Sequence, residues 1–187
     1  ALPIFINHAR REWGINVPNP VQMVRKPQSP QARSRVLTDE EVESLLQALN
    51  PTGRRSPWTK PAVQLALATA MRRGELLSLR WEHVNLQNRT AFLPHTKNNE
   101  IRVVPLSSAA VQLLAELPRH ISGMVIPVKF FTLDAAFKRG VRRAGLHGVR
   151  FHDLRSTAIT RMAEKLPNLI ELAAVSGHKS LLVLLSG

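Results

Sequence analysis

Apolar residues recur at helical spacing along most of this chain, and the spacing changes to that of strands only once. Helical patterns cover residues 60–81, 108–117, 132–144, 153–165 and 168–176, as well as a segment that begins at Thr38. Residues 89–106 instead contain two short strands, with Asn98-Asn99 as the turn because asparagine tolerates left-handed backbone. The pattern predicts a mainly α domain with a small antiparallel β-sheet, an α+β fold.

The first thirty-five residues look different from the rest. Residues 1–13 predict a helix closed by Gly14, with Phe5, Ala9 and Trp13 on one face that a lone helix cannot bury. Residues 18–30 contain four prolines, which disfavour helix and predict an extended linker. We therefore expect residues 1–35 to be the end of one domain plus a linker, and residues 36–187 to be the main domain. A Thr38 to Glu41 capping box marks its first helix.

The charge of the chain indicates its partner. Lysine and arginine number 26 against 13 acids, which gives a net charge of +13 and a pI near 11.6. Such a surface attracts polyanions, and nucleic acid is the expected one. No apolar run reaches the roughly 20 residues that span a bilayer, so we expect no membrane partner. With no cysteine, disulfides and cysteine-based zinc sites are excluded, and we expect a cytoplasmic setting.

Two stretches in the first half of the main domain could carry chemistry. AMRRGELLSLRW, residues 70–81, places Arg72 and Glu75 three apart, on one face of a helix. An exposed ion pair would have the same spacing, but Arg72 has apolar neighbours, and a guanidinium near a core needs a partner. Lys97 falls at the tip of the predicted hairpin. A lysine there serves solubility, or reaches into a groove and donates to a phosphate or a leaving oxygen.

Two later stretches add histidines. FHDLRSTA, residues 151–158, places His152 and Arg155 three apart at a helix start, where free N–H groups add positive charge. SGHK, residues 176–179, places His178 directly after a helix-ending glycine, which projects a side chain from a rigid corner. Each motif is weak alone, because an H-x-x-R occurs by chance and a lone histidine is often buried and hydrogen-bonded.

The basic residues of these four stretches suit one kind of reaction. The seven histidines form neither H-E-x-x-H nor a tight pair, and no G-x-x-x-x-G-K-[ST] loop is present, so we expect no metal and no cofactor. Two arginines, a lysine and two histidines suit displacement at a phosphodiester, where fixed cations stabilise the charge on non-bridging oxygens. The same inventory lacks a nucleophile.

The stretches resemble the motifs of the tyrosine recombinases, the phage-integrase family, and the resemblance covers nearly the whole chain. AMRRGELLSLRW resembles the family's first box, with Arg72 as a catalytic arginine, Glu75 as its acidic companion and Ala70 where glycine is usual. TKNNEIRVVPL resembles the hairpin that carries the catalytic lysine, here Lys97.

The two later motifs complete the resemblance. FHDLRSTA contains a full H-x-L-R box, His152 to Arg155, and SGHKSL resembles the L-G-H box of His178. The resemblance implies a helical catalytic domain with a small sheet, preceded by the last helix of a core-binding domain. It also implies roles: the two arginines clamp the scissile phosphate, Lys97 protonates the leaving 5′-oxygen, and the histidines handle protons or phosphate oxygens. Glu75 would orient Arg72 or a neighbouring histidine.

The family's nucleophile is missing from the sequence. Its tyrosine, which forms a 3′-phosphotyrosyl link, would stand about nine residues after His178, where this chain has Gly187, and the chain contains no tyrosine at all. The tyrosine is replaced, lost, or encoded beyond the sequence at hand. We expect the chain to bind duplex DNA without forming a covalent adduct.

Two further groups of basic residues are candidate DNA contacts. One is in the linker, at Arg33 and Arg35. The other is the basic stretch at Lys138, Arg139, Arg142 and Arg143, since residues 138–150 contain no acid. A solvated tether and a solvated helix face explain them equally well.

Alternatives to a recombinase remain open at this point. The chain could be an inactive DNA-binding remnant or regulator of the same fold, a relative of type IB topoisomerases, or a basic RNA-associated helical protein. For a full-length recombinase, the resemblance implies double-stranded DNA as partner and a homotetramer on paired sites. It leaves the target site and the accessory factors undetermined.

Overall fold

The chain divides into two compact units, Ala1–Ala32 and Arg33–Gly187. A computed structural model describes residues 2–15, 18, 24, 35–53, 55–94 and 101–165. In the first unit, α1 (Leu2–Glu12) ends before Gly14, whose φ of +62° is left-handed, as the sequence predicted for a helix stop. Phe5 and Trp13 meet edge to face with ring centroids 5.8 Å apart, and both rings are more than half exposed.

The second unit is mainly helical with one small sheet, which confirms the predicted fold class. Its described helices are α2 (Asp39–Ala48), α3 (Thr59–Thr69), α4 (Arg73–Ser78), α5 (Ser108–Glu116), α6 (Phe130–Arg143) and α7 (Asp153–Lys165). The strands β1 (Val84–Asn85), β2 (Thr90–Leu93) and β3 (Arg102–Pro105) form an antiparallel sheet in the order β1-β2-β3. The Asn98-Asn99 turn and the helix predicted at 168–176 lie outside the described residues.

Local signals explain where α2 begins. The backbone N–H of Glu41 donates to the Thr38 hydroxyl at 3.2 Å, and the Thr38 N–H donates to the Glu41 carboxylate at 3.1 Å. This reciprocal capping box is the predicted one. Val42 and Leu45 then follow on the buried face of the helix.

The core of the second unit is built around α3. This helix packs against α2, α4, α5, α6 and α7, and it buries Val63, Leu65 and Ala66 completely or nearly so. The sheet adds Ala91 and Val104, which are register partners and are both fully buried. Among the apolar residues at helical spacing along 60–81, Val63, Met71, Leu76 and Leu79 are buried and Leu67 packs against the core. Within the described part, no helix is long and apolar enough to cross a membrane.

A buried hydrogen bond ties the start of the second unit to α7. The Leu37 N–H donates to the Thr157 hydroxyl at 2.9 Å, and that hydroxyl donates to the Asp153 carbonyl one helical turn earlier at 2.8 Å. Leu37 is 3% exposed and Thr157 is fully buried, so water cannot replace either partner. Thr157 therefore fixes the entering chain beside α7.

We expect Thr157→Val to lower the free energy of unfolding by about 1–3 kcal/mol, because the change leaves the Leu37 N–H buried without an acceptor. Urea denaturation followed by circular dichroism measures this loss. The matched control is Thr160→Val, since Thr160 is exposed and its hydroxyl donates to the Ser156 carbonyl of its own helix. The control should change stability by less than about 0.5 kcal/mol. Equal losses in the two variants would contradict the assignment.

Candidate active site

The site is built on a break between α3 and α4. Ala70 ends α3 in the left-handed region, at φ 52° and ψ 22°. Arg72 then has extended backbone, at φ −66° and ψ 149°, and stands immediately before α4. Arg72 and Glu75 therefore do not sit in one continuous helix, and they meet because Arg72 occupies the position before the helix that contains Glu75.

Glu75 is the buried anion of the site. Its side chain is 4% exposed, and one carboxylate oxygen accepts from Arg72 Nη1 at 2.8 Å. The other oxygen accepts from the Arg72 backbone N–H at 2.9 Å and from Arg102 Nη1 at 3.3 Å. The carboxylate thus contacts both the backbone and the guanidinium of Arg72, and it holds a second arginine as well.

Arg102 is not among the residues predicted from the sequence, although its strand contains the signal that identifies it. In β3 alternate residues share a face, and Arg102 lies two before Val104, which is fully buried. Arg102 also pairs in register with Leu93, a core residue. The alternation therefore directs Arg102 inward, where its side chain is 10% exposed.

Arg155 enters the same region from the first turn of α7. It is 4% exposed, and its Nη1 donates to the Ala70 carbonyl. This hydrogen bond stabilises both the left-handed turn at Ala70 and the position of the Arg155 guanidinium. His152 stands just before α7, and its carbonyl accepts the Arg155 backbone N–H at 3.0 Å. In the H-x-L-R motif the Arg155 side chain is therefore buried, and the His152 side chain lies at the exposed start of the helix.

The arginines influence each other electrostatically. The pKa of Arg155 is lowered to about 10, chiefly by burial and also by the charges of Arg72 and Arg102, against the opposing effect of Glu75. Burial also lowers the pKa of Arg102, with Glu75 raising it and Arg72 lowering it. Arg72, Arg102 and Arg155 therefore form one arginine cluster around Glu75, with three positive charges and one negative charge.

His152 completes the described part of the site. Desolvation lowers its pKa, and the charge of Arg155 lowers it further, while Asp153 raises it and Arg72 and Arg73 lower it. A pKa below the ordinary value leaves the imidazole neutral at pH 7. A neutral imidazole beside buried cations can accept a hydrogen bond or a proton.

The arrangement is suited to an anion with developing charge. Buried guanidiniums held by a carboxylate and a carbonyl do not reorganise when a charged group arrives, and charge is stabilised strongly in a water-poor site. A guanidinium fork also matches two phosphate oxygens. Among the described residues, no three His, Asp or Glu side chains gather where they could hold a metal ion.

The remaining predicted residues have different surroundings. Lys97, His178 and Arg33 lie outside the described residues. Arg35 pairs with Glu41. The four basic residues of α6 are all exposed, but Lys138 pairs with Asp134 at 2.9 Å and Arg143 donates to the Ala48 carbonyl at 2.7 Å.

Comparison with known proteins agrees with the sequence motifs. The model of the phage integrase family matches residues 35–184. A shufflon-specific DNA recombinase of Escherichia coli is 39% identical over 96% of this chain and 46% of its own length. The chain spans about half the length of the curated relatives it matches.

Solved structures show the same fold. A lambda integrase dimer bound to a core site superposes with a TM-score of 0.74 at 24% identity, over 97% of this chain and 70% of that one. The catalytic domain of bacteriophage HP1 integrase gives a TM-score of 0.67 at 23% identity, over 82% of this chain and 86% of that one.

We expect Glu75→Gln to lower the free energy of unfolding by about 3 kcal/mol, because it removes the one anion from among three buried or half-buried guanidiniums. Urea denaturation measures the change. Glu82→Gln is the matched control, since Glu82 forms a 2.5 Å ion pair with Arg80 but is 61% exposed. The control should lose less than about 0.5 kcal/mol. A Glu75→Gln protein as stable as the control would contradict the role of Glu75.

We expect His152 to make the protein less stable in mild acid. Since its pKa is lowered in the folded state, the unfolded chain binds that proton more readily. The stability contributed by the neutral ring is present above about pH 6.5 and is lost as the pH falls through the lower, folded pKa. An NMR titration of the imidazole protons gives this pKa, and His152→Gln should flatten that part of the stability profile. Titration of His152 above the ordinary value would contradict the geometry.

Proposed function

The chain belongs to the phage integrase family, and we propose that it is the catalytic domain of a site-specific tyrosine recombinase, preceded by the end of a core-binding domain. On this proposal residues 1–35 are the last helix of that domain and its linker, and residues 36–187 are the catalytic domain. The observation that carries the proposal is the arginine cluster around Glu75, which gathers cations from the α3–α4 junction, β3 and α7. A scissile phosphate is the anion that this cluster is suited to bind.

We assign the roles as follows. Arg72 and Arg155 clamp the non-bridging oxygens of the phosphate, and Glu75 orients Arg72. His152, neutral at pH 7, takes part in proton transfer or accepts a hydrogen bond at the phosphate. Each assignment is supported by the position of its side chain: Arg72 is one-third exposed and able to reach a ligand, while Arg155 is buried and fixed behind it.

Lys97 and His178 receive their roles from the family motifs. Lys97 protonates the leaving 5′-oxygen, and His178 donates to a phosphate oxygen. These two assignments depend on sequence alone.

The function of the full-length protein extends beyond these residues. One solved structure with a similar fold is a lambda integrase tetramer bound to a Holliday junction. The similarity of this chain to that structure supports a homotetramer on paired duplexes for the complete recombinase. The nucleophile would be a tyrosine, which attacks the phosphate, forms a 3′-phosphotyrosyl link and releases a 5′-hydroxyl. The 187 residues include no tyrosine, so these residues by themselves hold DNA without cleaving it.

The same absence supports a second candidate function. A DNA-binding remnant or regulator of this fold would keep the arginine cluster for phosphate binding and would lack cleavage. A tyrosine encoded after residue 187 in the source gene distinguishes the enzyme from the remnant.

The proposal is tested by DNA binding and by covalent trapping. We expect the chain to bind duplex DNA in preference to RNA, with affinity falling by orders of magnitude between about 50 and 200 mM salt because phosphate contacts release counterions. Fluorescence anisotropy measures the binding. Incubation with a nicked suicide duplex, followed by denaturing electrophoresis, should show no protein–DNA adduct. An adduct, or tighter binding to RNA than to duplex DNA, would contradict the proposal.

Fluorescence anisotropy also tests the proposed phosphate contacts of Arg72 and Arg155. Arg72→Met and Arg155→Met should each weaken duplex binding by about tenfold, the value expected for one lost charged hydrogen-bond donor. Arg80→Met is the control, because Arg80 is exposed and engaged with Glu82 away from the cluster. Unfolding curves for each variant separate weaker binding from loss of the fold.

A further inference from the structure

A second cationic pocket lies between the end of α2, the segment before α3 and one side of α6. Three arginines line it, Arg55, Arg139 and Arg143, together with the hydroxyl-bearing Thr52, Ser56 and Thr59. Its volume is about 440 Å³, which is ample for a tetrahedral anion. No carboxylate is among the described residues that line the pocket.

The lining of this pocket combines three arginines with no described carboxylate. Several cations elsewhere on the described surface have carboxylate partners: Lys138 pairs with Asp134, Arg80 with Glu82 and Arg161 with Asp39. Within the described ranges, none of the three pocket arginines forms an ion pair. Desolvation lowers the pKa of Arg143, and the charges of Arg55 and Arg139 lower it further. The three guanidiniums repel one another, and an anion between them would relieve that repulsion.

Contacts within the protein fix the position of Arg143 in this pocket. Arg143 Nε and Nη2 donate to the Ala48 carbonyl, at 3.1 and 2.7 Å, at the negative end of the α2 dipole. The two helices approach so closely that a Cβ on Gly140 would lie 2.4 Å from Leu49 Cδ2. Glycine at this position allows α6 to reach α2, and the contact fixes Arg143 before any ligand arrives.

The pocket is distinct from the arginine cluster around Glu75. On α6, Asp134 and Lys138 line a different pocket, which contains Arg73 and His152. Arg139 follows Lys138 directly, and successive residues of a helix diverge by about 100°. The helix therefore lies between two cationic regions, one beside His152 and one beside Arg55.

We propose that the pocket of Arg55, Arg139 and Arg143 binds a second phosphate of the DNA backbone, away from the phosphate held by the arginine cluster. The inference rests on the proposed function, because it needs duplex DNA as ligand. Guanidinium forks and hydroxyl donors are the groups that proteins use to hold backbone phosphates. DNA is the expected source of this phosphate, because the proposed function already brings a polyanion to this domain.

Arg139→Ala is the informative variant, because Arg139 is exposed and makes no described contact that the fold needs. It should weaken duplex binding by about tenfold and reduce the salt dependence by about one phosphate contact. Arg119→Ala is the control, since Arg119 is an exposed arginine that stacks on the Trp81 ring and does not line the pocket. Its binding and salt slope should match those of the unmodified chain. Arg55→Ala should resemble Arg139→Ala.

The outcomes separate this inference from the proposed function. If the unmodified chain binds no duplex, the proposed function fails and this inference fails with it. If the chain binds duplex but Arg139→Ala binds equally well, or Arg119→Ala loses as much, only this inference fails. A free-anion site is tested with inorganic phosphate in place of DNA. Phosphate could raise the unfolding temperature of the unmodified chain but not of Arg139→Ala, while both proteins bind duplex DNA equally well. In that case the pocket binds a small anion, and the inference is overturned.

Discussion

The most demanding constraint in this structure is the burial of one carboxylate among several arginines. Glu75 accepts from Arg72 and Arg102, while Arg155 donates to a backbone carbonyl beside them. Charges taken out of water are tolerated only when partners replace the lost hydration. Arg72 is local to Glu75, but Arg102 comes from β3 and Arg155 from α7, so the complete cluster forms only when these elements have assembled.

The turn at Ala70 makes that assembly possible. A left-handed non-glycine residue costs roughly 1 kcal/mol, and such strain persists where the surroundings hold it. The Arg155 guanidinium donates a hydrogen bond to the Ala70 carbonyl in this turn. The chain then changes direction, and the Arg72 backbone N–H donates to the Glu75 carboxylate. The family motif has glycine where Ala70 stands, and the observed φ of 52° gives the physical reason. The alanine methyl is fully buried, so its packing offsets part of the strain.

Helices were predictable here because their signals are local. The Thr38–Glu41 box, the apolar spacing and the glycine after α1 each act within one or two turns, and the helices begin and end close to the predicted residues. The break at Ala70 carried no such signal, since nothing in an alanine announces left-handed backbone. β1 is only two residues long, too short for alternation to show. Alternation along β3 puts Arg102 on the same face as Val104, but which face is buried depends on pairing with Leu93, which is distant in sequence, and Arg102 was therefore missed. Lys97 and His178 remain predictions.

The net charge of the chain says less about its DNA-binding surface than the placement of its few acids does. The basic stretch of 138–150 contains no acid, which suggested one uniform face. Asp134, just before that stretch, pairs with both Arg73 and Lys138 and offsets part of the positive charge on the side of α6 toward His152. The potential then concentrates where carboxylates are absent from the described surroundings, beside Arg139 and Arg143. Since electrostatic attraction to phosphate depends on local charge within about 10 Å in physiological salt, a count over the whole chain cannot locate the surface that contacts DNA.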